Sequence, residues 1–161
     1  MTAPINSLVG WLEQTRVHQF MQTAEWAVPA VQTVHILAIA AVFASSLVLS
    51  GRALQLVGRD WSLAQWGKRL NGWIGWGLIV LLVSGVLMIC GEPGRSLGNS
   101  LFRLKMMLLL VAIALLIPFA RRIGRLREAA QPTPASVRIL GASLMLVWLA
   151  MITCGRWIAY T

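Results

Sequence analysis

Residues 26–50 read WAVPAVQTVHILAIAAVFASSLVLS, an apolar stretch that is long enough to cross a membrane as one helix. A hydrocarbon core of about 30 Å requires about 20 such residues. Three further stretches of this kind follow at residues 73–90, 101–120 and 139–160. Because backbone groups inside lipid must be hydrogen-bonded within the chain, each stretch predicts a helix. The sequence therefore predicts an all-α integral membrane protein with four spans.

The composition limits what else the chain contains. It has 161 residues, of which 58% are hydrophobic and only 12% charged, and the hydrophobic residues are grouped in blocks. Outside the spans, only residues 1–25 and three short connections remain, which is too little for a soluble catalytic domain. Short connections favour neighbouring helices, so we expect an antiparallel four-helix bundle. Neither a nucleophile–base pair nor a phosphate-binding loop is visible, so a stand-alone enzyme is not predicted.

The amino-terminal segment, residues 1–25, has an amphipathic pattern. Between residues 4 and 22, apolar residues recur at roughly helical spacing among polar ones. With Asn6 or Ser7 as N-cap, this pattern predicts a short amphipathic helix on the outer membrane surface. A mobile arm is the alternative. The segment lacks the basic and apolar regions of a cleavable signal peptide.

The net charge of +9 is explained by topology. The basic residues lie at span ends instead of forming a solvated face with aromatics, so a nucleic-acid partner is not predicted. Of the 14 Lys and Arg residues, nine lie between spans one and two or between spans three and four, and five lie on the other side. The positive-inside rule assigns the two linkers to the cytoplasm. We therefore expect both termini to face the outer side of the membrane.

His35 is the main candidate for a functional residue, because an ionisable side chain inside lipid is costly. It lies about 13 Å inside the outer end of span one, counting about 1.5 Å per residue. Gln32, one turn outward, and Ser46, further inward, extend a weak polar stripe that should face the bundle interior. At about the depth of His35 or nearer the outer end lie soft donors on other spans: Met88, Met151 and Cys154.

Two metal chemistries fit this donor set. An imidazole with thioethers and a thiolate suits Cu(I), and a His with a Met also ligates haem iron. The alternative for each methionine is ordinary packing. Cys90 and Cys154 both lie toward the outer face, but their estimated depths differ by roughly 8 Å, which favours two separate thiols over a disulfide.

Arg103 and Lys105 open span three on the outer side, against the positive-inside trend. They either snorkel to the headgroups or pair with acidic groups. The acidic candidates are Glu25, Glu92 and the carboxylates of a bound cofactor, such as haem propionates. Arg156, at the outer end of span four, is the third cation of this candidate site.

His18 belongs to the same side of the membrane. If the amino-terminal helix folds over the bundle, His18 serves as a second metal ligand or a gate; otherwise it is a solvated interfacial histidine. Spans two to four contain no histidine.

Three segments carry a resemblance to known proteins: residues 32–35 (QTVH), 51–58 (GRALQLVG) and 102–105 (FRLK). With these three segments in this order, the chain resembles a family of small, largely uncharacterised four-span bacterial inner-membrane proteins. That family is distantly similar to CopD-like copper-resistance proteins and the four-helix cytochrome b group. The resemblance implies a bundle in the bacterial inner membrane, with both termini then on the periplasmic side. It also implies metal or haem handling near the outer face, and CopD-like relatives are associated with copper movement alongside a periplasmic carrier. The chain departs from the cytochrome pattern by having a single intramembrane histidine.

Three functions therefore remain open. The first is copper binding or transport by His35 with Met88, Met151 and Cys154. The second is an electron-transfer subunit in which His35 contacts a b-type haem or a quinone. The third is a structural or assembly subunit. The expected partners are membrane lipid, a periplasmic metal carrier or redox partner, and further subunits, either identical or different.

Overall fold

The structure is a computed structural model that describes residues 3–58, 61–126 and 133–158, with side chains from residue 5 to residue 153 of these ranges. It contains seven helices and, in the described ranges, no strand. The helices are α1 (Ala3–Glu13), α2 (Arg16–Thr23), α3 (Ala27–Ala53), α4 (Leu63–Gly91), α5 (Pro93–Gly98), α6 (Ser100–Gly124) and α7 (Ala135–Ile158). Helices α3, α4, α6 and α7 are long and apolar enough to cross a membrane. The predicted all-α membrane bundle is confirmed, and the chain is a multi-pass membrane protein.

The four spans are antiparallel to their neighbours. On α3, Val42 meets Gly77 of α4, while His35, nearer the start of α3, meets Gly85, nearer the end of α4. Helix α7 packs on α3 in the same antiparallel sense, and α6 packs mainly on α7. We call the end of the bundle that carries α1, α2 and α5 the capped end. The opposite end, with the α3–α4 and α6–α7 linkers, is the linker end.

The core is densest in the half of the bundle near the linker end. One cluster there draws buried side chains from all four spans: Val42, Leu49, Ala53, Leu63, Ile74, Ala112, Leu116, Phe119, Ile123, Val137, Leu144 and Trp148. Toward the capped end, the next cluster contains only Ala38, Leu81 and Leu109. No described side chain of α6 before Leu109 is buried. The spans are therefore packed less closely, among the described residues, in the capped half.

Gly77 brings α3 and α4 together. A Cβ atom at this position would lie 2.6 Å from Val42 Cγ2 and 3.8 Å from the Ala38 carbonyl oxygen. Val42 is fully buried, and its β-branched side chain is stiff within a helix. In lipid, where helix association depends on close van der Waals packing, a missing side chain at such a contact is stabilising.

The structure corrects the predicted boundaries at the amino terminus. The predicted single helix is two helices, because Thr15 accepts a hydrogen bond from the backbone N–H of His18 and caps α2. Asn6 and Ser7 lie inside α1, so neither is the predicted N-cap.

Two spans are also longer than predicted. Helix α4 begins at Leu63, ahead of the predicted start at residue 73, because Ser62 and Gln65 form a capping box there. Helix α6 continues through Pro118 to Gly124, beyond the predicted end at residue 120. The short helix α5 was not predicted.

Gly77→Ala should destabilise the purified protein by about 1–3 kcal/mol, because the added methyl group forces α3 away from α4. Gly75→Ala is the matched control, since a Cβ atom there meets nothing within 4 Å. Denaturant unfolding in detergent micelles measures both variants. Equal stabilities for the two would contradict the close approach at Gly77.

Candidate functional site

A hydrogen-bonded chain fixes the orientation of the His35 ring. His35 Nδ1 lies 2.8 Å from Ser84 Oγ, and Ser84 Oγ lies 2.6 Å from the Val80 carbonyl oxygen. A carbonyl oxygen can only accept, so the single hydroxyl proton of Ser84 is donated to Val80. Ser84 therefore accepts a hydrogen bond from the Nδ1–H group of His35. In the neutral ring, this tautomer leaves the lone pair on Nε2.

The ring lies against α4 with Nε2 unpaired. A Cβ atom on Gly85 would lie 3.4 Å from His35 Cε1, so the glycine lets the ring approach the α4 backbone. The side chain of His35 is half-buried. Within the described residues, Nε2 has no hydrogen-bond partner. The geometry thus presents an oriented base nitrogen in the capped half of the bundle.

Lys105 lies on the inward face of α6. The buried residues Leu109, Ala112 and Leu116 recur at spacings of three and four, and the same spacing extended backward reaches Lys105. Lys105 is half-buried, whereas Arg103 is exposed. The ammonium of Lys105 is close enough to the His35 ring to act on it electrostatically. The two cations that the sequence placed together therefore differ, because only Lys105 faces the bundle.

Neither cation has an acidic partner in the described part of the chain. Glu92, one predicted partner, instead pairs with Arg95 at 3.3 Å on the protein surface. Glu25, the other, is exposed and forms no ion pair with a described residue. Lys105 is thus a half-buried ammonium without a counter-ion among these residues.

Three methionines lie near the His35 level. Met88 follows Ser84 by one turn on the same face of α4. Met106 and Met151 pack against the small cluster of Ala38, Leu81 and Leu109, which lies about one turn from His35 toward the linker end. All three methionines are half-buried. We call His35, Ser84, Met88, Lys105, Met106 and Met151 the His35 site.

Other predicted site residues lie elsewhere. Gln32 is exposed, so the prediction that it faces the interior is wrong, whereas Ser46 is fully buried and donates to the Phe43 carbonyl. Cys154 and Arg156 belong to α7, but their side chains lie outside the described residues. Cys90 is a free, half-buried thiol.

His18 holds α2 onto the end of α4. Its Nδ1 atom lies 2.9 Å from the Cys90 carbonyl oxygen, and Gln22 Nε2 donates to the Gly91 carbonyl at 2.7 Å. Carbonyl groups in the last turn of a helix have no partner within that helix, so these two side chains complete the end of α4. Met21 packs against Gly91 between them. We call His18, Met21 and Gln22 the α2 clamp.

The α2 clamp keeps His18 apart from His35. Their anchor points on α4, Cys90 and Ser84, are separated by six residues, or about 9 Å along the helix axis. Two imidazoles that share one metal ion each place a nitrogen about 2 Å from it. The structure therefore does not bring His18 and His35 to a common ion, and His18 is not a solvated interfacial side chain either.

Sequence reasoning missed Ser84 and Gln22. Ser84 is a polar residue that follows Gly77 and Leu81 on the buried face of α4, so its position in the apolar pattern was the available signal. Among the described residues, no group of three or more His, Cys, Asp or Glu side chains is placed to hold a metal ion. Among the described residues, the candidate metal ligands at this site are His35 and the three methionines.

The comparisons with known proteins identify a family without assigning a function. A family of unknown function (DUF6644) matches residues 10–161, which is nearly the whole chain. No curated protein and no solved structure matches the chain.

Replacing both clamp residues, His18→Ala with Gln22→Ala, should loosen α2, because two carbonyl groups lose their partners at about 1–3 kcal/mol each. Hydrogen–deuterium exchange should become faster in α2 while exchange in α3 stays unchanged. Gln19→Ala, at an exposed position of the same helix, is the control. Unchanged exchange in the double variant would contradict the clamp.

Proposed function

We propose that this chain, which belongs to the DUF6644 family, is a membrane electron-transfer protein that holds a b-type haem in the capped half of the bundle. His35 Nε2 would hold the haem iron, and Lys105 would bind a carboxylate of the cofactor. One observation carries the proposal: an oriented imidazole with an unpaired nitrogen lies beside a half-buried ammonium that has no counter-ion among the described residues.

The imidazole has the features of a preorganised ligand. Ligating histidines donate their other ring N–H group to a neighbouring acceptor, which fixes the tautomer and raises the basicity of the ligating nitrogen. Ser84 has this role for His35, and Ser84 is itself held by the Val80 carbonyl. A histidine with a free Nε2 atom is a common axial ligand of haem iron.

Lys105 favours a ligand that carries negative charge. A cation on the inward face of a membrane helix is costly unless a partner offsets it. A propionate group would supply a charge-assisted hydrogen bond to the ammonium. Arg103, which is exposed, is directed away from the site and is free to reach the headgroups.

The packing of the capped half supports a ligand between the helices. On α6, Leu101, Phe102, Lys105, Met106 and Leu108 are half-buried and none is buried, in contrast to the same helix after Leu108. The thioethers of Met88, Met106 and Met151 are candidates for a second axial ligand. With the basic linkers in the cytoplasm, the capped end faces the periplasm of the bacterial inner membrane, where a redox partner has access to the cofactor.

Copper handling is the second candidate, and the three half-buried methionines favour it. A set of one imidazole and several thioethers suits Cu(I). The ammonium of Lys105, however, repels a bare cation at the His35 ring. An anionic cofactor therefore suits the charge at this site better than copper.

Purified protein loaded with haem should show a Soret absorption band that is lost in His35→Ala. His18→Gln is the control, because glutamine keeps a donor for the Cys90 carbonyl and His18 lies away from the site. A wild-type sample that stays colourless after loading, or a band that survives in His35→Ala, would contradict the haem proposal.

Lys105→Gln separates the two candidates by the sign of its effect. Haem retention should weaken by about one to two orders of magnitude, since a charge-assisted hydrogen bond contributes about 1.5–3 kcal/mol. If the site holds copper, the same variant should bind Cu(I) more tightly, because a repulsive charge has been removed. Arg103→Gln removes an equal charge from an exposed position and should change neither affinity. Titrations with haem and with Cu(I) measure both effects.

A further inference from the structure

Two described parts of the α3–α4 linker, residues 54–58 and 61–62, are anchored by contacts at the linker end. Gly58 adopts the left-handed conformation with φ of +64°, and a Cβ atom there would lie 3.0 Å from Trp66 Nε1. The same Trp66 nitrogen donates to the Gly58 carbonyl at 3.3 Å. On the other side of the linker, Arg52 Nε donates to the Trp61 carbonyl at 2.9 Å. These contacts fix two tryptophans next to the first turns of α4.

The tryptophans and an arginine line a cavity. The rings of Trp61 and Trp66 are 5.6 Å apart, and the guanidinium carbon of Arg69 lies 5.6 Å from the centre of the Trp61 ring. Together with Gly58, these side chains line an open cavity of about 440 Å³. We call it the Trp61 pocket. Arg69 is exposed and its guanidinium lies over the Trp61 ring, so N–H donors of the guanidinium remain accessible.

The linker end, which carries the Trp61 pocket, is positively charged. Ile123 of α6 packs directly against Gly67, so the exposed Arg121 and Arg122 lie at the same end of the bundle as Arg69. The acidic residues that the structure describes all lie at the capped end: Glu13, Glu25 and Glu92. The sequence adds one basic and one acidic residue in each linker gap, Arg59 with Asp60 and Arg127 with Glu128, which leaves the net charge unchanged.

We propose that the Trp61 pocket binds the phosphate group of an anionic lipid headgroup. Arginine matches phosphate geometry through its fork of N–H donors, and basic pockets at the ends of membrane spans bind such headgroups. The pocket lies at the membrane–water interface, where tryptophan rings contact both the headgroup and the start of the acyl chains. A lipid uses the indoles and the guanidinium together, whereas free phosphate uses only the guanidinium.

Lipid retention by the full chain tests this proposal. Purified protein in neutral detergent is titrated with phosphatidylglycerol, phosphatidylcholine or inorganic phosphate, and binding is followed by native mass spectrometry and by thermal unfolding. Phosphatidylglycerol should bind more tightly than phosphatidylcholine. Arg69→Gln should weaken phosphatidylglycerol binding about fivefold, the effect of one basic side chain at a lipid surface. Arg16→Gln, at the capped end, removes the same charge and should leave binding unchanged.

Three outcomes would overturn the proposal. Equal binding of the two lipids would remove the role of the negative charge. An equal loss in Arg69→Gln and Arg16→Gln would show a general charge effect instead of a pocket. Full stabilisation by inorganic phosphate, with no added effect of phosphatidylglycerol, would assign the pocket to a free anion. Because none of these measurements involves haem or copper, their failure is independent of the function proposed for the His35 site.

Discussion

The hydrogen bond between His35 and Ser84 is the interaction on which the proposed site depends. In an apolar medium every polar group needs a partner, and an imidazole between two spans is kept there only if its donor is satisfied. This bond joins α3 to α4 at 2.8 Å, and the contact of Ser84 with the Val80 carbonyl favours the ring tautomer with its proton on Nδ1. It is available because Gly77 and Gly85 let the two helices approach closely. Orientation of the histidine is thus a consequence of helix packing.

The two ends of the bundle have different chemistry. At the capped end, the α2 clamp closes the last turn of α4, and the described acidic residues are all found there. At the linker end, arginines and two ordered tryptophans form a positively charged surface without a described acidic side chain. The proposed cofactor site in the capped half and the proposed lipid site at the linker end therefore lie in separate parts of one small bundle.

Hydropathy alone predicted the four spans and singled out His35, because span length and an ionisable residue within a span can be read from the linear sequence. The rotation of each helix about its axis cannot be read in this way. Gln32 is three residues from His35, which places it about 60° away around the helix, and this difference moves it from the interior to the surface. The same limit hid the contrast between Arg103 and Lys105, and it hid Ser84, whose importance comes from a contact with another span. The start of α4 was missed because the helix extends beyond the apolar stretch, back to the capping box of Ser62 and Gln65.

We propose that His35 presents an unprotonated Nε2 atom that ligates a cofactor. Nitrogen NMR of the histidines tests this proposal most directly. The chain contains only two histidines, so a sample labelled with ¹⁵N-histidine in lipid bilayers gives few signals to assign. We expect His35 to carry its proton on Nδ1, and its Nε2 signal to disappear when ferric haem is added while the His18 signals persist. A proton on Nε2, or a His35 signal that haem leaves unchanged, would contradict the claim.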